Sequence, residues 1–128
     1  MTTYTVLLPG SDDSWENATA EQQATVVGLH ETFARLMAER GHRITGGEEL
    51  MPAHTAKTVR KDAAGIISVT DGPYAEAAEH VSGFYTVESD DLDDLLQVCG
   101  VLAGTTIPGT QDVVEVRQVV DHSGDAGA

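Results

Sequence analysis

The spacing of apolar and polar residues predicts six strands and two helices along the chain. Runs of β-branched and apolar residues are typical of strands, and apolar residues spaced three and four apart are typical of one helical face. The predicted strands are Tyr4 to Leu8, Arg43 to Thr45, Thr55 to Lys61, Gly65 to Thr70, Gly83 to Glu88 and Val113 to Val120. The predicted helices run from Thr19 to Arg40 and from Asp90 to about Ala103.

Local signals set several of these boundaries. Thr19 followed by Gln22 predicts a capping box at the start of the first helix, and Gly41 predicts its end. Asp90 is the expected cap of the second helix. The expected buried side of this helix consists of Leu92, Leu95, Leu96, Val98 and Leu102. The pair Gly46-Gly47 predicts a bulge or turn near the second strand. The third and fourth strands, joined by Asp62-Ala63-Ala64, are predicted to form a hairpin.

The polar stretch from Ser11 to Asn17 is predicted to be a flexible loop that carries one large ring, Trp15. Such a ring either anchors the loop over the edge of the core or closes a pocket. The sequence leaves both roles open.

The order of strands and helices predicts an α+β fold with antiparallel strands. Two helices cover only one face of such a sheet, so the other face is expected to be solvated or buried against a partner. A length of 128 residues predicts a single domain. We place it at residues 1–121 and expect residues 122–128 to form a flexible tail.

The turn Thr70-Asp71-Gly72-Pro73-Tyr74-Ala75-Glu76 separates two predicted strands. A residue before proline avoids the helical region, whereas proline itself suits the first position of a helix. Residues 73–80 are therefore expected to form short helical turns. Asp71 either caps these turns or points into a cleft as an acid, base or hydrogen-bond acceptor, with Tyr74 as a wall.

This turn, followed by Gly83-Phe84-Tyr85-Thr86-Val87, resembles the signature of the YCII-related family, also called DGPF-domain proteins. The similarity continues through Gly41, Gly47, Leu50 and Pro52, through Thr58-Val59-Arg60 and through Val114-Glu115-Val116-Arg117. The chain departs from the family pattern at Tyr74, where Phe is usual, at Ala78, where Lys is frequent, and at Gln118, where Pro is expected. The resemblance implies a ferredoxin-like βαββ(β)αβ sandwich of the dimeric α/β-barrel type, and hence a homodimer paired sheet against sheet.

The charge of the chain excludes two classes of partner. Lys and Arg number 7 against 21 Asp and Glu, which gives a formal net charge of −14. Such a surface repels nucleic-acid phosphates and anionic membranes. The single cysteine, Cys99, cannot form an internal disulfide and is expected in the core. The first residues show no targeting pattern, and the expected location is cytoplasmic.

No motif for a metal or a cofactor is present, so neither is predicted: the five histidines lack ligand spacing, and dinucleotide, P-loop and serine-hydrolase motifs are absent from the sequence. The resemblance implies instead an acid–base pair formed by a histidine on the first helix, here His30, and a nearby carboxylate. Asp71 is the first candidate for the partner carboxylate, and Glu48 is the second. A carboxylate orients an imidazole and raises its basicity.

Two classes of function follow from these residues. One is a noncatalytic domain, ligand-binding or regulatory, with a pocket for a small organic molecule, and this is the hypothesis we favour. The other is an enzyme of lyase, isomerase or dehalogenase-like type that transfers protons through His30 and Asp71. In both, Lys57, Arg60 or Arg117 are candidates for holding an anionic group. The aromatic residues predicted to bind the ligand are Trp15, Tyr74 and Tyr85.

Overall fold

The computed structural model describes residues 1–74, 80–104 and 113–124 of the chain. In these residues, strands and α-helices follow one another as β1 (Thr2–Gly10), α1 (Asp12–Glu16), α2 (Ala20–Glu39), β2 (Arg43–Glu49), β3 (Lys57–Lys61), β4 (Ile67–Asp71), β5 (His80–Ser89), α3 (Leu92–Cys99) and β6 (Glu115–Gln118). Single 3-10 turns lie at Ala53–Thr55 and Gly100–Leu102. The protein therefore has a mixed α+β fold.

Four strands form one sheet in the order β2-β5-β1-β6, and each neighbouring pair is antiparallel. The connection from β1 through α2 to β2 passes over β5, and the connection from β5 through α3 to β6 passes over β1. Between β2 and β5 the chain forms the hairpin β3-β4, a separate two-stranded sheet. The strands of the β1–α2–β2 unit and those of the β5–α3–β6 unit therefore alternate across the large sheet.

The core lies between one face of the large sheet and the helices α2 and α3. Successive strand residues point to opposite faces, and β1 accordingly buries Tyr4, Val6 and Leu8. Phe33 and Leu95 come from the helices and pack in the same cluster. The other members of the cluster are Met37, Val87, Val98, Cys99 and Leu102. Burial raises the pKa of the Cys99 thiol to about 11, which agrees with its predicted packing role.

Several predicted boundaries are confirmed. Thr19 and Gln22 form the capping box, with bonds of 2.8 and 3.0 Å between side chains and backbone N–H groups. Gly41, with φ of 82°, follows Arg40, the C-cap of α2. A bulge interrupts the pairing of β2 with β5 between Ile44 and Gly46. The predicted hairpin is present as β3 and β4.

Other predictions are wrong. The stretch from Ser11 to Asn17 is not a loop, because it contains α1, whose first turn is capped by Ser11. The cap of α3 is Asp91 and not Asp90, since Asp91 accepts the backbone N–H of Asp94. Leu92 and Leu96, expected in the core, are 41% and 43% exposed. A helix of eight residues offers only a narrow buried face, and here that face consists of other side chains.

The predicted helical turns over residues 73–80 lie mostly outside the described residues. The final strand is shorter than predicted. In the described part of the chain, no helix is long and apolar enough to cross a membrane.

Candidate functional site

A cavity of about 670 Å³ lies between α1, the first half of α2 and the paired ends of β2 and β5. Its walls are formed mainly by apolar and aromatic side chains, among them Leu8, Trp15, Val26, Met51, Phe84 and Tyr85. The residues after β2, Leu50 to Ala53, close one side. Cavities of this size and character commonly hold small organic ligands.

His30 and Tyr85 form a hydrogen-bonded pair in the wall of this cavity. The Nδ1 atom of His30 lies 2.6 Å from the phenol oxygen of Tyr85. The helix α2 places His30 one turn before the buried Phe33, whose ring centroid lies 5.0 Å from that of Tyr85. Packing against Phe33 therefore fixes the ring that His30 contacts.

The protonation of Tyr85 defines what the pair can offer a ligand. Burial raises the pKa of the Tyr85 phenol, so the O–H keeps its proton at neutral pH. Either Tyr85 donates to the Nδ1 of His30, or an Nδ1–H donates to the phenol oxygen and leaves the phenol proton for another acceptor. The pair can thus switch between donating to and accepting from a third group.

Gly47 makes room for the Tyr85 ring. It lies opposite Tyr85 in the β2-β5 ladder and has φ of 144°. A Cβ atom there would lie 2.4 Å from the carbonyl oxygen of Phe84 and 3.2 Å from Cδ1 of Tyr85. At Gly46, by contrast, the nearest atom to such a Cβ is Oγ1 of Thr86 at 3.9 Å. Of these two glycines, only Gly47 is therefore required for steric reasons.

The short helix α1 is hydrogen-bonded to the 3-10 turn after β2. The carboxylate of Asp12 accepts the backbone N–H groups of Ala53 and His54 at 2.7 and 3.0 Å. The bond from Ala53 is the main reason why the pKa of Asp12 is lowered. Glu16 adds a contact of 3.1 Å to Nε2 of His54. These bonds hold Trp15 beside the cavity.

Four of the predicted site residues border this cavity: His30, Tyr85, Trp15 and Glu48. The sequence did not reveal the hydrogen bond between Asp12 and Ala53, because these residues are 41 positions apart and no local pattern links them. The steric role of Gly47, in contrast, could have been predicted from the sequence. Once β2 is aligned with β5, a glycine stands opposite an aromatic ring.

The other predicted site residues lie elsewhere. Asp71 is at the end of β4, where its 85% exposed carboxylate pairs with Lys57, and it is not among the residues described as lining the cavity. The guanidinium of Arg60 lies 5.7 Å from the centroid of the Tyr74 ring. Arg117 pairs with Thr5, so it lies on the sheet face away from the helices. The pairing of His30 with Asp71 stays a prediction.

A second histidine forms a buried network at the far end of α2. The Nδ1 and Nε2 atoms of His42 lie 2.8 Å from Oγ of Ser89 and 2.7 Å from a carboxylate oxygen of Asp94. Arg40 contacts the other oxygen of Asp94 at 2.5 Å. Ser89 is 1% exposed and His42 is 5% exposed, so no substrate reaches this serine. The network joins α3 to the end of β5 and to the segment that follows α2.

Comparison with known proteins gives one finding. A family model described as the YCII-related domain matches residues 4–123, which is nearly the whole chain. No curated protein matches the chain significantly.

Proposed function

The chain belongs to the YCII-related family, and from that premise we propose that it binds a small organic ligand in the cavity beside His30 and Tyr85. The observation that carries this proposal is the 2.6 Å contact between these residues in the wall of a largely apolar space of about 670 Å³. A ligand site of this type combines apolar walls with a few placed polar groups. A compact ring with one hydroxyl or carbonyl group fits both the apolar walls and the polar His30–Tyr85 pair.

The ligand's polar group is expected to hydrogen-bond to the His30–Tyr85 pair, while its ring lies against Trp15 and Val26. Because Tyr85 keeps its proton, a hydroxyl or a carbonyl oxygen is a suitable partner. A single hydrogen bond of this kind contributes about 0.5–1.5 kcal/mol. The apolar walls then supply most of the affinity.

Trp15 gives a direct test, because it is the single tryptophan of the chain and borders the cavity. Titration with phenol is expected to change its fluorescence in a saturable way. Tyr85→Phe keeps the ring but removes the hydroxyl, and should weaken phenol binding by about threefold to tenfold. Tyr4→Phe is the matched control, since Tyr4 is buried in the core and is not among the lining residues. The absence of saturable binding for phenol, cyclohexanone and related neutral rings would contradict the proposal.

The second candidate function is proton transfer, favoured by the direct contact of an imidazole with a phenol that stays protonated. His30 would take a proton from carbon or oxygen of the bound molecule, and Asp71 remains the predicted carboxylate partner. The test is deuterium exchange next to the carbonyl of cyclohexanone, followed by NMR. Exchange faster than in buffer, lost in His30→Ala, supports an enzyme. Exchange at the buffer rate leaves a binding domain.

We also propose that the chain adopts a ferredoxin-like sandwich and forms a homodimer. The strand order β2-β5-β1-β6 supports the first part. Exposed apolar residues support the second: Val59, Ile67 and Val69 of the hairpin are 60–64% exposed, and an isolated two-stranded hairpin is marginally stable in water. Light scattering at micromolar concentration should give twice the chain mass of 13.5 kDa. A monomeric mass would contradict this part.

A further inference from the structure

Building on the proposed binding function, we infer that the cavity prefers a ligand with a cationic amine and discriminates against carboxylates and phosphates of the same shape. The inference rests on where the chain's cations lie and on which acidic groups face the cavity.

No lysine or arginine borders the cavity. The chain has 7 such residues, and all of them lie in the part that the structure describes. None is among the lining residues described there. Four are in ion pairs elsewhere: Arg35 with Glu39, Arg40 with Asp94, Arg43 with Glu88 and Lys57 with Asp71. Residues 75–79, 105–112 and 125–128 contain no lysine or arginine, so these segments cannot supply a cation either.

Acidic residues, in contrast, border the cavity from two sides. Asp12 and Glu16 belong to α1 and are engaged with the backbone and side chain of residues 53 and 54. Glu48 and Glu49 belong to β2. An anionic ligand would meet these groups with no lysine or arginine in the wall to offset them.

Glu49 is the carboxylate best placed to contact the ligand. It pairs with Gly83 in the β2-β5 ladder, two residues beyond the pair of Gly47 with Tyr85. Because strand residues two apart share a face, Glu49 is on the same face as Tyr85. Gly83, its partner in the ladder, carries no side chain. Glu48 pairs with Phe84 and alternates to the other face.

The structure therefore assigns two points of recognition to one ligand. The His30–Tyr85 pair takes a neutral hydrogen-bonding group, and Glu49 takes an ammonium group. A unit charge pair a few ångströms apart near a protein surface changes affinity by about tenfold or more. A neutral analogue is expected to bind between the amine and the anion.

The test compares three probes of similar shape, benzylamine, benzyl alcohol and benzoate, at pH 8, where an unperturbed imidazole is neutral. Binding is followed through Trp15 fluorescence. Benzylamine should bind about tenfold tighter than benzyl alcohol, and benzoate should bind weakest. Glu49→Gln should reduce the advantage of the amine over the alcohol by at least about threefold. Glu39→Gln, on α2 and paired with Arg35, should leave it unchanged.

The outcomes separate the inference from the proposed function. If benzyl alcohol binds but benzoate binds as tightly as benzylamine, the charge preference is overturned while the binding function stands. An amine advantage that Glu49→Gln leaves intact overturns the assignment to Glu49. If none of the three probes binds, the proposed function fails and the inference fails with it.

Discussion

His30 and His42 belong to two ends of the same fold that differ in access to solvent. His42 is 5% exposed, and both its ring nitrogens contact polar groups of the protein. His30 is half-buried and contacts Tyr85 in the wall of a cavity. His42 completes a serine, histidine and aspartate set, the arrangement most often associated with catalysis. It is nevertheless His30 that borders the space for a ligand.

Solvent access, and not residue type alone, therefore determines which of the two histidines can contact a ligand. At the His42 end, polar side chains replace water and tie helices to strands. At the His30 end, Gly47 and Gly83 leave room beside Tyr85, and α1 carries Trp15 over the opening. We therefore expect substitutions at the closed end to reduce stability and substitutions at the open end to reduce binding.

The largest effect is expected from His42→Ala. It leaves Ser89 and Asp94 without their buried partner, and should lower the free energy of unfolding by about 2–4 kcal/mol. His30→Ala removes a half-buried side chain at the cavity and should cost about 1 kcal/mol or less. Urea unfolding of both variants measures the difference. Equal losses would show that the two ends do not differ as described.

Next in size is Gly47→Ala, with Gly46→Ala as the matched control one residue away. The added Cβ at position 47 would meet the carbonyl oxygen of Phe84 at 2.4 Å, and φ of 144° disfavours any side chain. We expect a loss of about 2 kcal/mol, together with loss of phenol binding as Tyr85 is displaced. Gly46→Ala should change stability by less than about 1 kcal/mol. Thermal unfolding and Trp15 fluorescence provide the two measurements, and similar behaviour of both variants would contradict the steric role.

A smaller effect is expected from Asp12→Asn, and it depends on pH. The folded pKa of Asp12 lies below its usual value, chiefly through the N–H of Ala53. Its stabilising contribution is therefore present above the unfolded value of about 3.9 and is lost as the pH falls through the folded value. The melting temperature of Asp12→Asn should be lower than that of wild type at pH 7, and the gap should close as the pH falls through the lowered pKa of the folded state. Asp13→Asn, the exposed neighbour in α1, should show no such gap. A gap that persists in acid would exclude this role of the Asp12 carboxylate.

Much of the fold could be predicted because its signals are local. The capping box at Thr19, the bulge near Gly46 and the hairpin each depend on residues within a few positions of one another. The helix α1 was missed because it has five residues and little apolar periodicity, and contacts to Ala53 and His54 help to hold it.

The candidate site was harder to predict for the same reason. His30 and Tyr85 are 55 residues apart, and their contact depends on the register of β5 and on the missing side chain at Gly47. Likewise, His42, Ser89 and Asp94 are brought together only by the packing of α3 against α2. Sequence patterns identified the residue types but not these partners.

The most direct test of the binding site is an NMR titration of the isotope-labelled protein with phenol. Saturable shifts are expected at the amide groups of Gly47, Gly83 and Tyr85 and at the indole of Trp15. The amide groups of His42, Ser89 and Asp94 should remain unchanged. Shifts centred on the His42 network, or none at the cavity at millimolar phenol, would contradict the claim that the open end is the binding site.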